Sequence, residues 1–165
     1  MAHRLLEGVR NASINDLRED KNMTTHSIAA TAHRSTTERD ASTLLRRTFQ
    51  VNAASSALSA AAFLVGGSAL AQRLGSPISL APTAWLLLGF AAFVAWLSAR
   101  RPIPLGAAWT VVALDVAWVV VSAIEIAIGA YSTLGNWVFG AMALFVAVLA
   151  DVQILGILRI RRARA

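Results

Sequence analysis

Residues 105–129 read LGAAWTVVALDVAWVVVSAIEIAIG, an apolar stretch that is interrupted only by Asp115 and Glu125. A helix needs about 20 residues to cross the hydrocarbon core of a bilayer, within a range of roughly 17–25. Only helices and closed barrels satisfy the backbone in lipid, and the stretch lacks the alternation of a strand. The sequence therefore predicts a transmembrane helix here.

Three further apolar runs have similar lengths and compositions. They cover about 49–71, 83–99 and 137–158. The links between the runs are short and contain helix-ending residues such as Pro77, Pro102 and Pro104. Short links make successive helices antiparallel neighbours. The fold class is therefore predicted to be all-α, with residues 43–165 forming an integral membrane four-helix bundle.

Residues 1–42 form a different kind of segment, with six basic and six acidic side chains and no long apolar run. This balance predicts a disordered cytoplasmic tail without a signal peptide. The codons for Arg18-Glu19-Asp20 can form a purine-rich ribosome-binding sequence just upstream of Met23. Translation is expected to start either at Met1 or at Met23, and residues 1–22 are untranslated in the second case.

The positive charge of the chain, +6 overall, lies beside the predicted spans. Of nine arginines beyond residue 42, eight fall on one side of the spans and only Arg73 falls on the other. The arginines that determine this asymmetry are Arg46, Arg47, Arg100, Arg101, Arg159, Arg161 and Arg162. The positive-inside rule then places both termini in the cytoplasm, in a multi-pass protein of the bacterial inner membrane.

The distribution of the arginines beside the spans also indicates which class of partner to expect. Basic residues that flank apolar runs are typical of membrane proteins rather than of a nucleic-acid-binding face. The expected partners are the lipid bilayer and either further copies of the chain or other membrane subunits, and no nucleic acid.

The membrane portion lacks the residue types that several kinds of chemistry require. The chain has no cysteine, its only lysine is Lys21, and its histidines His3, His26 and His33 all precede residue 43. The membrane portion therefore has no thiolate, imidazole or amine for redox chemistry, haem or metal ligation, or nucleophilic catalysis. We expect a non-enzymatic protein with no catalytic residue, no metal and no cofactor.

All three acidic residues beyond position 42 lie within apolar spans. A charge at the bilayer centre costs about 2.5–3.5 kcal/mol on insertion scales, so such residues usually face a partner or a cavity. Glu125 falls near the outer boundary and is expected to be interfacial, whereas Asp115 lies near the midplane. The candidate polar site combines the two deeper acids with one face of the first span: Asp115, Asp151, Asn52, Ser56 and Ser59.

Two interpretations of this candidate site remain open. In one, the residues line a cavity open to the cytoplasm, where a carboxylate binds a proton or a cation. In the other they form interhelical hydrogen bonds. Asp115 is then protonated or bonded to the serine hydroxyls of the first span, and Asp151 pairs with a snorkelling arginine such as Arg47 or Arg159. The leading hypothesis is a structural or accessory membrane component. The alternative is a small proton- or cation-coupled transporter that uses Asp115 and Asp151.

Four short motifs carry a resemblance to known proteins. They are Asn52-x-x-Ser55-Ser56-x-x-Ser59, Ala99-Arg100-Arg101-Pro102, Leu114-Asp115-x-x-Trp118-Val119 and the ending from Gln153 to Arg159. With these motifs the chain resembles a group of small bacterial four-helix integral membrane proteins that have no established activity. The resemblance implies four helices. Small multidrug exporters also have four helices, but they carry an essential glutamate in the first span, and this first span contains no acid.

Overall fold

A computed structural model gives the structure of the chain. It describes residues 38–76 and 80–163 together with their side chains, and this part contains helices and no strand. The predicted tail, as far as residue 37, and the possible start at Met23 lie outside the described residues. Both stay predictions. The helices are α1 (Ala2–Leu74, described from Glu38 onward), α2 (Ala81–Ala99), α3 (Leu105–Ala127) and α4 (Thr133–Arg164).

The predicted all-α membrane bundle is confirmed. Each predicted span corresponds to one helix, and all four helices are long and apolar enough to cross a membrane. Two helices extend further than the apolar runs do. In α1 the helix already includes Ala41, which is buried in the core, so the packed region begins before residue 43. In α4 the helix continues past residue 158 to Arg164.

The helices are arranged around the bundle in the order α2, α1, α4, α3. Helix α1 packs against α2 and α4, and α4 packs against α3, whereas α2 and α3 barely touch. Helices α2 and α3 are joined by a short link and share the core at the basic end, but their backbones come close at few positions. The link between them is extended at Arg100 and Pro104, and it inserts Ile103 into the core. The bundle is consequently open on the side between α2 and α3.

One end of the bundle, here called the basic end, is closed by apolar packing. The fully buried side chains there come from α1, α2, α3 and α4: Leu45, Phe49, Leu97, Val111 and Ile157. Arg46 lies at this end, and its guanidinium donates hydrogen bonds to the carbonyl oxygens of Ser98 and Arg100. These are carbonyls at the end of α2, where helical partners are missing.

The opposite end joins α1 to α4 through a close backbone contact. The backbone N–H of Ser132 donates to the carbonyl of Leu74 over 2.9 Å. Gly75 follows α1 with φ of +67°, and a Cβ atom there would lie 2.6 Å from the Ser132 nitrogen. Only glycine fits both the left-handed conformation and the space. This contact fixes the end of α1 beside the start of α4.

Candidate functional site

The centre of the bundle contains a buried carboxyl group that is held by two amides. Asp115 on α3 is 3% exposed. Its Oδ2 accepts a hydrogen bond from Asn52 Nδ2 of α1 over 2.7 Å and another from Gln153 Nε2 of α4 over 2.9 Å. Both amide side chains are buried as well. One carboxylate oxygen therefore connects three helices.

The packing of α3 explains why Asp115 points inward. The buried residues of this helix are Ala108, Val111, Val112, Asp115 and Ser122, which share one side. The backbones of α1 and α3 make no direct contact across the bundle. The long carboxamides of Asn52 and Gln153 span the space that remains between the helices.

Asp115 also lines a cavity. The volume of this cavity is about 270 Å³. We call this space the Asp115 cavity. Its lining comes from all four helices: Asn52, Ser55, Ser56, Ser59, Leu86, Leu87, Phe90, Leu114, Asp115, Trp118, Met142, Phe145 and Val146. The polar side chains lie on α1 and α3, and the walls from α2 and α4 are apolar or aromatic.

A second cavity, of about 330 Å³, lies further from the basic end. It shares Leu86, Leu114 and Trp118 with the Asp115 cavity, and its own lining includes Glu125 and Tyr131. We call it the Glu125 cavity. Along α3 the two cavities follow one face from position 115 to position 125, a rise of about 15 Å.

Glu125 and Tyr131 form a polar pair in the Glu125 cavity. The Tyr131 hydroxyl donates to Glu125 Oε2 over 2.5 Å. Burial, followed by the hydrogen bond and the negative charge of Glu125, raises the pKa of Tyr131 above its ordinary value. The phenol therefore remains a hydrogen-bond donor at physiological pH. The interfacial position expected for Glu125 agrees with its place near the end of α3, but Glu125 also lines a cavity.

Two side chains that line both cavities are exposed at the surface of the bundle. Leu86 on α2 and Leu114 on α3 line both cavities and are 75% and 47% exposed. They lie on the side of the bundle where α2 and α3 barely touch. Toward the basic end, Phe49, Leu97 and Val111 fill the core completely. Apolar packing therefore separates the Asp115 cavity from the basic end, and a cavity open to the cytoplasm stays a prediction.

The structure brings together four of the five predicted site residues. Asn52, Ser56, Ser59 and Asp115 all line the Asp115 cavity. The interhelical interpretation is correct in that Asp115 bonds to α1, although the donor is an amide and not a serine hydroxyl.

Asp151 is the exception, since its side chain is exposed on the outside of α4. Gln153 faces inward, and residues two apart on a helix point about 200° apart, so Asp151 must face outward. Among the described residues no hydrogen bond or ion pair connects it to Arg47 or Arg159. The grouping of Asp151 with Asp115 is therefore wrong.

Gln153 is the site residue that sequence reasoning missed. The sequence feature that could have identified Gln153 is a polar side chain inside the fourth apolar run. Gln153 lies two positions after Asp151, on a different face of the helix. In the structure its Oε1 atom is enclosed without a hydrogen-bond partner. The carboxamide donates to a carboxylate through Nε2. Turned over, it would present Oε1 as an acceptor to a protonated Asp115.

The residues present determine what the site can hold. The described residues contain no group of three or more histidine, aspartate or glutamate side chains that could hold a metal ion. The Asp115 cavity offers one carboxyl group and nearby hydroxyls, together with apolar walls. Comparison with protein-family models, with curated proteins and with solved structures finds no match to the chain.

Proposed function

We propose that this chain is a small, non-enzymatic multi-pass membrane protein that binds a proton or a cation at Asp115 and carries it across the bilayer. The observation that carries the proposal is that one carboxyl group is both held by hydrogen bonds and part of a cavity lining. Oδ2 is held by two amide donors, while Asp115 also lines an open cavity. Asp151 has no part in this mechanism, because it faces outward.

A purely structural role explains the site less well. Neutral polar side chains can form interhelical hydrogen bonds of about 1–2 kcal/mol in model peptides, without the insertion cost of about 2.5–3.5 kcal/mol for an acid. The two amide donors hold the carboxyl group in place through Oδ2. When the carboxyl group is ionised, its charge attracts a cation into the cavity that Asp115 also lines. The serine hydroxyls of α1 supply further oxygen ligands beside it.

The network also accommodates a change of charge. When a proton occupies Asp115, reorientation of Gln153 would bring its enclosed Oε1 into a hydrogen bond. When the proton leaves, Nε2 donates again. The site can therefore exist in a charged and a neutral form without moving a helix. A proton-coupled carrier requires both of these charge states.

A second candidate function, an accessory subunit, is favoured by the outer face of α4. Asp151 lies there in a helical stripe with exposed apolar residues: Leu144, Val148 and Leu155. An acid on a lipid-facing surface is costly, and a partner helix with a polar group would lower that cost. Cross-linking from this stripe to another membrane protein, with loss of the partner in Asp151→Leu, would support this role.

We also propose that the basic end faces the cytoplasm of a bacterial inner membrane. Arg46, Arg100 and Arg159 belong to segments that meet at this end, which agrees with the positive-inside rule. Reporter fusions after Ala165 should indicate the cytoplasm, and fusions near Thr133 the exterior. A periplasmic carboxyl terminus would refute this orientation.

The transport proposal is tested in liposomes that contain the purified protein. A pH-sensitive dye inside the vesicles should report proton flux driven by a proton gradient, and a sodium-sensitive dye should report sodium flux driven by a sodium gradient. Asp115→Asn should abolish this flux, because asparagine retains the shape but cannot ionise. Asp151→Asn is the matched control and should retain it. Equal flux in the two variants, or no flux in the wild-type protein under either gradient, would refute transport through Asp115.

A further inference from the structure

The walls of the Asp115 cavity identify a narrower class of ligand than cations in general. Aromatic rings from three helices line the space: Phe90 of α2, Trp118 of α3 and Phe145 of α4. The polar side chains lie together on α1 and α3, around Asp115. The cavity is therefore amphipathic, with an anionic side and an aromatic side.

These two sides match two parts of one molecule. A carboxylate attracts a positive charge, and the faces of aromatic rings attract cations within about 6 Å of the ring centre. Quaternary ammonium groups are the ligands that such aromatic surroundings recognise. The remaining apolar wall, which includes Leu87 and Met142, suits a hydrocarbon body.

The opening of the cavity fits the same kind of molecule. The exposed Leu86 and Leu114 border the side where α2 and α3 barely touch. An amphipathic cation partitions into the bilayer and can reach that side from the lipid. At the basic end, the apolar side chains of Leu45, Phe49 and Ile157 are fully buried in the core.

We propose that the Asp115 cavity binds an amphipathic organic monocation, namely a substituted ammonium with an aromatic or branched apolar body, which enters from the lipid between α2 and α3. This inference rests on the proposed cation binding at Asp115 and specifies its substrate class. The ammonium group lies beside Asp115, and the apolar body lies against the rings of Phe90, Trp118 and Phe145.

The probe is benzyltrimethylammonium, which carries a permanent charge and cannot exchange a proton. Its neutral isostere is neopentylbenzene, in which a carbon atom replaces the nitrogen. Binding is measured by equilibrium dialysis of the purified full-length protein in an uncharged detergent, with protein-free micelles as the blank. We expect saturable binding of the cation and no saturable binding of the isostere.

Paired variants assign the binding to the cavity. Asp115→Asn should weaken binding by about tenfold or more, because a contact with a charged group is lost. Asp151→Asn should leave it unchanged. Phe90→Leu should weaken binding of benzyltrimethylammonium, whereas Phe93→Leu should not, because Phe93 stacks on Trp96 outside the cavity. Tetramethylammonium, which lacks the ring, should bind more weakly than the probe.

The outcomes separate this inference from the transport proposal. Binding that Asp115→Asn weakens, without flux of protons, of sodium or of benzyltrimethylammonium itself in liposomes, would support the ligand class and refute transport. Flux that depends on Asp115, without saturable binding of the probe, would refute the ligand class and leave proton or inorganic cation transport standing. Equal binding by the Asp115→Asn and Asp151→Asn variants would overturn the inference, as would equal displacement of the probe by sodium.

Discussion

Asp115 and Asp151 are the same residue type in two helices that pack against each other, yet their surroundings are opposite. Asp115 is enclosed, accepts two hydrogen bonds and lines a cavity. Asp151 is exposed on the outer surface of α4. An acidic residue in an apolar span can thus indicate either an internal site or an external face. The direction in which the acidic side chain points distinguishes an internal site from an external face, whereas the depth of the residue in the membrane does not.

Two neighbouring arginines at the basic end repeat this contrast. Arg46 donates hydrogen bonds to the carbonyls at the end of α2, whereas Arg47 is exposed. Both residues contribute equally to the charge asymmetry that predicts orientation. Only one of them also stabilises the bundle.

The largest expected effect separates the two aspartates by stability. Asp115→Leu should lower the free energy of unfolding by roughly 1–3 kcal/mol, since it removes two interhelical hydrogen bonds of about 0.6–1.7 kcal/mol each. Asp151→Leu should cause no loss, because its side chain has no partner within the described bundle. Unfolding in mixed micelles with increasing denaturing detergent measures both values. Equal losses would remove the distinction between the two sites.

A smaller effect is expected at Gln153, which belongs to the same network. Gln153→Leu removes one hydrogen bond and should lower the free energy of unfolding by less than Asp115→Leu does. We expect a loss of about 0.6–1.7 kcal/mol at most. Removal of the enclosed, unpaired Oε1 offsets part of the loss. Gln50→Leu is the control, because Gln50 is exposed on α1. If Gln153→Leu were as stable as the control, the carboxamide would not hold Asp115.

The smallest effect concerns the arginine pair. Arg46→Lys keeps the charge but can replace only one of the two hydrogen bonds to α2, so it should cost roughly 0.5–1 kcal/mol. Arg47→Lys should have no measurable effect on unfolding. Reporter fusions should show the same orientation for both variants, because the charge count is unchanged. A change of orientation in Arg46→Lys alone would show that the capping contact, and not the charge, sets the topology.

The sequence predicted the helices far better than it predicted the site. Hydrophobic runs and prolines located four spans because length and the need for backbone hydrogen bonds leave few alternatives. Helical spacing places Asn52, Ser56 and Ser59 on one face of α1, and in the structure all three line the Asp115 cavity.

The sequence could not determine the rotation of each helix about its axis. An apolar span has hydrophobic residues on all sides, so the pattern does not mark the inward face. For this reason the sequence pattern favours Asp151 although Gln153, two positions later, is the residue that points inward. The spacing of α2 and α3 was also unpredictable, because hydrophobic runs and link lengths do not determine how closely two helices pack.

Carboxyl modification in the membrane tests the central contrast most directly. Dicyclohexylcarbodiimide is an apolar reagent that reacts with protonated carboxyl groups, and peptide mass spectrometry can quantify its adducts at Asp115 and Asp151 in the same sample. We predict that benzyltrimethylammonium lowers modification of Asp115 several-fold and leaves that of Asp151 unchanged. Equal modification of Asp115 with and without the cation, or equal protection of both residues, would contradict an internal cation site at Asp115.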